Sequence, residues 1–270
     1  MANQKTIGRI IALMIIPSLI SMLISGCQSG DNNRNAVYED MKTDFEKSGM
    51  LSANIGLFSK SEHDGEIAYT NGGSGVIFDK HDGAYYALTA AHVVSTENSQ
   101  LLVFTTNNEM KKDDIPGLDN MTLLSQEAYN SMYAAEVLYI STRDDLAVIR
   151  FSADENLSVI EMADSNPQNG ERMMCIGNPQ NEWFAVSYGT ITSDIETFGE
   201  LTEHPSNAMK HTAYMQTGSS GGAALNENMK LVGITPGASL SLDGKDFYYG
   251  VMIPVSEIEI CLNEWKNNRI

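Results

Sequence analysis

The sequence predicts an all-β domain, a barrel or a sandwich, closed by one helix at its C-terminal end. Three observations carry this. Short apolar runs recur along most of the chain, each bounded by Gly, Asn or Asp. The alternation of strands and long helices that builds parallel sheets does not appear. Near the end the apolar spacing becomes helical, with Ile258, Cys261, Leu262 and Trp265 on one face behind a Ser256/Glu259 capping box.

Taken in order, the first segment is not part of the fold. Lys5 and Arg9 form a basic leader, and Ile10 to Ile24 is an apolar run broken by Pro17, Ser18 and Ser21. That length suits a signal-peptide core better than a membrane span. The run ends in Leu23-Ile24-Ser25-Gly26-Cys27, which resembles a bacterial lipobox. The resemblance implies that residues 1–26 are a lipoprotein signal peptide and that Cys27 carries lipid. The protein is then expected in the bacterial cell envelope, anchored to a membrane. Residues 27–49 read as a polar tether with a short helix around 36–47.

Strand signals follow. Gly75 to Phe78 and Tyr85 to Val94 flank Asp82-Gly83, a pair suited to a tight hairpin because both residues tolerate positive φ. Further strands are expected at Leu101 to Thr106, Ala134 to Ile140, Leu146 to Phe151, Met173 to Ile176 and Phe184 to Thr192. The remainder are His211 to Met215, Gly222 to Leu225, Leu231 to Ile234 and Phe247 to Ile253. Asn107 to about Tyr133 reads as a long polar insertion.

The chain has 270 residues, 42% hydrophobic and 19% charged, which sustains a packed core. Its formal charge is −18, and losing residues 1–26 removes two cations and no carboxylate, giving −20. Nucleic-acid phosphates would repel such a chain, so nucleic acid is excluded as a partner. Cys175 lies in an apolar strand and Cys261 on the apolar helix face, so both are expected as buried thiols. The histidines show no ligand spacing; no metal and no organic cofactor are expected.

Three segments carry chemistry. They are Leu88 to Val94 around His92, Arg143 to Val148 around Asp145, and Thr217-Gly218-Ser219-Ser220-Gly221-Gly222. A serine hydroxyl becomes a nucleophile when a base takes its proton, and histidine titrates near neutrality. A buried aspartate fixes the imidazole tautomer and stabilises the imidazolium. A glycine-rich turn can aim the Gly218 and Ser220 amides, flanking Ser219, at a developing oxyanion. Losing one such donor costs about 3–4 kcal/mol of transition-state stabilisation. Asp144 is a weaker candidate for the acid. The same glycine-serine run also satisfies a nucleophile elbow, but that fold needs a histidine after the serine. The five histidines are 63, 81, 92, 204 and 211, all before Ser220.

The chain resembles the protease domain of the HtrA (Deg) group of trypsin-like serine peptidases. To the three segments above, the resemblance adds Gly73 to Ile77, Ile176 to Pro179, Gly189 to Ile191, Leu231 to Ile234 and Tyr249 to Pro254. It implies a trypsin-like double β-barrel, two six-stranded barrels with a C-terminal α-helix. The protease domain would span 50–270, with barrel one about 50–155, barrel two about 156–255 and the helix 256–267. His92 is then the base, Asp145 its orienting acid and Ser220 the nucleophile, with the oxyanion hole at Gly218, Ser219 and Ser220. Tyr214, Ile234 and Thr235 are expected to line the substrate pocket. No acidic residue stands where Tyr214 does, so a preference for Lys or Arg is not expected. Pro236 lacks an N–H, which bears on strand pairing with substrate.

Some features depart from the family. Ser219 stands where pancreatic enzymes carry an Asp, so their mode of zymogen activation is not expected. No PDZ domain is expected after the helix, and glutamyl endopeptidases, which carry His at the place of Thr235, are less similar. The expected activity is hydrolysis of polypeptides through an acyl-enzyme by a lipid-anchored serine endopeptidase; the resemblance also allows an oligomer. The alternative is a protease-fold binding or sensor protein whose oxyanion turn is collapsed at rest.

Overall fold

The computed structural model describes residues 31–63, 66–95, 99–108, 130–179, 183–198, 206–241 and 246–268. Cys27, the signal segment, most of the 107–133 insertion and residues 199–205 lie outside them.

The first sheet closes into a barrel. It contains β1 (Asn54–His63), β2 (Glu66–His81), β3 (Ala84–Thr89), β4 (Ser99–Phe104), β5 (Tyr133–Ser141) and β6 (Leu146–Phe151), in the order β1-β2-β3-β6-β5-β4. The hairpin joining β2 to β3 turns at Asp82 (φ 51°) and Gly83 (φ 74°), the positive-φ pair expected there. The second sheet has seven strands: β7 (Arg172–Gly177), β8 (Ala185–Thr190), β9 (Glu196–Phe198), β10 (Ser206–His211), β11 (Gly222–Asn226), β12 (Leu231–Leu240) and β13 (Phe247–Pro254). Their order is β8-β7-β11-β12-β13-β10-β9, and an Ile191–His211 bridge curls the sheet back on itself. This is the trypsin-like double barrel, its second half a curled seven-stranded sheet.

Strand alternation sorts side chains between two cores. On β7, Met174 and Ile176 join a large cluster with the barrel-one residues Ile55, Val76, Leu88 and Ile149, while Met173 and Cys175 face a second cluster with Met209, Met215, Val232 and Met252. Cys175 and Cys261 are both buried and unpaired, as expected.

Three local expectations are corrected. The strand through Tyr85 stops at Thr89, and Ala91–Val94 form a one-turn helix, α2, that carries His92. The strand expected at His211 to Met215 lies earlier, as β10, and 212–215 runs irregularly toward the serine turn. The C-terminal helix, here α3 (Val255–Asn267), buries the expected face, Ile258, Cys261, Leu262 and Trp265. However, Ser256 is not its cap. Asn166, 90 residues upstream, receives the Ser256 amide (3.0 Å) and donates to its hydroxyl (2.9 Å). A partner from across the domain replaces the local box.

Most of the expected tether is also folded. Helix α1 (Asp31–Ser48) buries Met41 and Phe45 in the main core. Arg172 of β7 holds α1 through the Val37 carbonyl and both oxygens of Asp40 (2.9 Å each). That guanidinium keeps the exposed Asp40 carboxyl down at about 2. Tyr38 stacks on Tyr188 and shares a hydrogen bond with Thr190 (3.0 Å).

Candidate active site

α2 and the β5–β6 loop bring His92 and Asp145 together across 53 residues. Asp145 Oδ2 lies 2.7 Å from His92 Nδ1, and its Oδ1 accepts the His92 backbone amide at 2.9 Å. The Asp145 carbonyl accepts the Ala91 amide at 3.1 Å. Asp145 is 5% exposed and adopts φ 51°, unusual for a residue with a side chain. Both carboxylate oxygens are thus spent on one histidine, which fixes the ring and leaves Nε2 facing outward. Asp144 takes no part in this contact.

Ser220 sits on the turn before β11. Gly218 (φ 99°) and Gly221 (φ 84°) make that turn. A Cβ on Gly221 would collide with Thr89 Oγ1 and the Ser74 carbonyl, so no other residue fits there. The Ser219 amide donates to Gln216 (2.9 Å), the Gly222 amide to Ser219 (3.0 Å) and the Gly221 amide to Thr235 (2.7 Å). The Gly218 carbonyl is drawn inward by the Ser74 hydroxyl at 2.7 Å. Among the described residues, neither the Gly218 nor the Ser220 amide donates to a protein acceptor. Two amides on the serine turn are thus left without a protein acceptor among the described residues.

Barrel one braces this turn. The Ser74 amide donates to the Ser220 carbonyl (2.8 Å), and the Ser74 hydroxyl accepts the Asn178 amide and its Nδ2, both at 3.0 Å. Asn178 Oδ1 accepts the Phe184 amide (2.9 Å), and Phe184 and Trp183 pack on Phe104 of barrel one. The Ser220 hydroxyl itself donates to the Pro236 carbonyl at 2.9 Å. The serine hydroxyl is therefore committed to β12 in this conformation.

The arrangement of a histidine-aspartate pair on one barrel and a serine turn on the other agrees with comparison to known proteins. A trypsin-like peptidase domain model matches residues 73–234.

The chain belongs to the trypsin-like peptidase family.

Among curated relatives, the periplasmic serine endoprotease DegP of Escherichia coli strain K12 is 31% identical over 189 residues, 69% of this chain and 34% of DegP. The Do-like serine protease HtrA of Lactococcus lactis is 27% identical over 241 residues, 84% of this chain and 52% of that protein. HtrA of Bacillus subtilis is 28% identical over 223 residues, 80% and 44%. The chain thus spans about a third to a half of the length of these relatives.

In this trypsin-like domain, a cavity of about 190 Å³ lies beside the serine turn. Tyr214, Gln216, Ser219 and Thr235 form one side, and Cys175, Ile176, Ala185 and Val186 the other. Tyr214 and Thr235 both line this cavity. Ile234 is fully buried in the main core and lies outside the lining. Thr235 bonds to the Ser219 and Gly222 carbonyls (3.1 and 3.2 Å) and so braces the turn as well as lining the cavity. Pro236 falls where the β12–β13 register slips between Ile234 and Gly237. Its missing N–H coincides with an interruption of the ladder, and its carbonyl faces the serine.

Burial holds the Cys175 thiol far above its usual range and pushes His211 down to about 4. Among the described residues, no three His, Cys, Asp or Glu side chains gather as a metal site. Sequence reasoning missed Ser74, Asn178 and the Pro236 carbonyl. The first two lie inside motifs that were recognised, Gly73-Ser74-Gly75 and Ile176-Gly177-Asn178-Pro179, but their partners are 144 and 123 residues away.

Proposed function

We propose that this protein is a serine endopeptidase of the DegP/HtrA type, using His92, Asp145 and Ser220 as its triad. The observation that carries the proposal is the bidentate Asp145–His92 contact, supported by a serine turn that keeps two amides unspent among the described residues. In the first step Ser220 turns from the Pro236 carbonyl to His92 Nε2, which takes its proton as Oγ attacks the substrate carbonyl. Asp145 stabilises the imidazolium, and the Gly218 and Ser220 amides receive the oxyanion, with Ser219 holding the turn between them. His92 then protonates the leaving amine, and the resulting acyl-enzyme is hydrolysed by water. The Pro236 carbonyl, released by the serine, accepts an N–H from a substrate strand laid along the part of β12 beyond Thr235, where its pairing with β11 has ended.

The substrate pocket is assigned to the cavity bearing Tyr214 and Thr235, backed by Ile234. Its mainly uncharged lining favours an uncharged side chain over Lys or Arg. The protein acts outside the cytoplasm, as the periplasmic relative DegP does. It is held at the envelope by a lipid on Cys27, through the short segment before α1. Its partners are polypeptides and the membrane.

The second reading, a conditionally inactive binding or sensor protein, draws on one observation, the Ser220 hydroxyl bonded to Pro236. A collapsed oxyanion turn would swing the Gly218 amide out of the site, and here the peptide that follows is fixed by the Ser74 bond to the Gly218 carbonyl and by the Ser219 bond to Gln216. The Ser220 hydroxyl is committed to a single acceptor, and catalytic hydrogen bonds commonly tighten only once substrate is bound. The test is labelling of the purified protein with a fluorophosphonate probe beside Ser220→Ala. Labelling that disappears in the variant supports the peptidase. A folded protein that never labels returns the sensor reading.

A further inference from the structure

The loop that delivers Asp145 contains a second carboxylate that the proposed chemistry does not use. β5 ends at Ser141 and β6 starts at Leu146, these two residues pair, and Thr142, Arg143, Asp144 and Asp145 make the connection. Asp144 is 3% exposed. Its Oδ1 accepts Arg143 Nε at 2.9 Å, and its Oδ2 accepts Arg143 Nη2 and the Ser141 hydroxyl, both at 2.8 Å. The Ser141 oxygen accepts the Asp144 amide in return, at 3.4 Å. The fork is then tied to α3: Arg143 Nη2 also reaches Glu264 Oε1 at 3.3 Å, and Glu264 Oε2 accepts the Tyr139 hydroxyl at 2.9 Å. Burial and the Glu264 carboxylate together push Tyr139 up to about 12.

Neighbouring residues in extended chain point to opposite faces, so a two-pronged contact between Arg143 and Asp144 exists only if the backbone is tightly turned. The next residue, Asp145, holds a left-handed φ of 51°, a conformation that persists only where its surroundings impose it. From this geometry we propose that Arg143 and Asp144 are positioning residues, clamping the β5–β6 loop to the C-terminal helix so that Asp145 keeps both oxygens on His92. This rests on the triad reading above.

Removing the guanidinium would leave Asp144 buried with only Ser141 for a partner. An unpaired buried carboxylate moves to solvent when it can, and Asp144 can do so only by opening the loop. That motion draws Asp145 out of its left-handed conformation and away from Nδ1. Misplacement by about 1 Å at a catalytic group is worth on the order of 100-fold in rate.

The experiment compares Arg143→Met, Arg143→Lys and Glu264→Gln with the unaltered full-length protein and with Arg150→Met. Arg150 makes a surface pair with Glu136 on the same barrel and serves as the control. The readouts are kcat and KM on an unfolded protein substrate, the fluorophosphonate labelling rate, and the low-field proton resonance of the His92–Asp145 hydrogen bond. For Arg143→Met the expectation is a kcat about 10- to 100-fold lower at a KM within twofold, and a broadened or lost resonance. Lysine recovers part of the rate, Glu264→Gln loses a few-fold, and Arg150→Met stays within twofold. A folded Arg143→Met with kcat within twofold and an intact resonance overturns the inference. If Arg143→Met does not fold, Arg143→Lys and Glu264→Gln decide it: unchanged labelling and resonance in both overturn it. If the unaltered protein does not label, the peptidase reading fails instead, and the resonance alone still decides whether the clamp positions Asp145.

Discussion

Ser74→Ala tests the brace behind the serine turn. The Ser74 hydroxyl, fully buried, joins three groups: the Gly218 carbonyl at 2.7 Å, the Asn178 amide at 3.0 Å and Asn178 Nδ2 at 3.0 Å. Without it, Nδ2 keeps the Ile55 carbonyl at 3.3 Å, but the Gly218 carbonyl and the Asn178 amide lose this partner. A buried polar group left unsatisfied costs about 1–3 kcal/mol, so two give about 3 kcal/mol. In a domain of this size that lowers Tm by about 6–12 °C. The chemical effect is separate. A Gly218 carbonyl without its donor frees the Gly218–Ser219 peptide to reorient, which breaks the Ser219–Gln216 bond and displaces the amides on either side, and losing one oxyanion donor costs about 100- to 1000-fold in kcat. Thermal unfolding gives the first quantity and the fluorophosphonate labelling rate the second. A stable variant that labels within twofold of the parent would refute the claim that Ser74 holds the turn open.

Two further outcomes follow from burial. His211 is fully buried with a pKa lowered to about 4, against about 6.5 in an unfolded chain. The unfolded state therefore binds the extra proton between these values. The neutral-histidine contribution, roughly 3 kcal/mol, is complete above pH 6.5 and is lost as the pH falls toward 4. Tm measured from pH 7.5 to 4.5 should fall, and less steeply in His211→Gln; equal slopes would remove His211 from the account. Phe45→Ala should destabilise by about 3 kcal/mol because Phe45 of α1 is 4% exposed in the main core, whereas Val37→Ala on the exposed part of the same helix should change little. Equal urea midpoints for the two variants would mean that α1 is not docked.

Much of the site was legible in the chain because its chemistry is written in short segments. Thr89-Ala90-Ala91-His92, Asp145-Leu146-Ala147-Val148 and Gly218-Ser219-Ser220-Gly221 stand in an order that few other arrangements satisfy. The strand at Leu146–Phe151 and the buried face of α3 were equally plain, since both depend on local periodicity. The helix cap was misread for the opposite reason: Ser256 and Glu259 fit a local box, but a side chain from 90 residues away supplied a competing partner.

By itself, then, the sequence determined the strand-rich class, the residue types of the site and their order. Tertiary structure decided which of two adjacent aspartates meets His92, because only the turn of the β5–β6 loop points Asp145 at the ring and Asp144 at Arg143. It decided that Ser74 and Asn178 brace the serine turn, through contacts spanning more than 100 residues. It also decided that a polar-looking segment at 37–48 is a docked helix, since Met41 and Phe45 acquire a buried face only when the main core is present to receive them. Periodicity and motifs are local properties of a chain; burial and hydrogen-bond partnership belong to surfaces that exist only after folding.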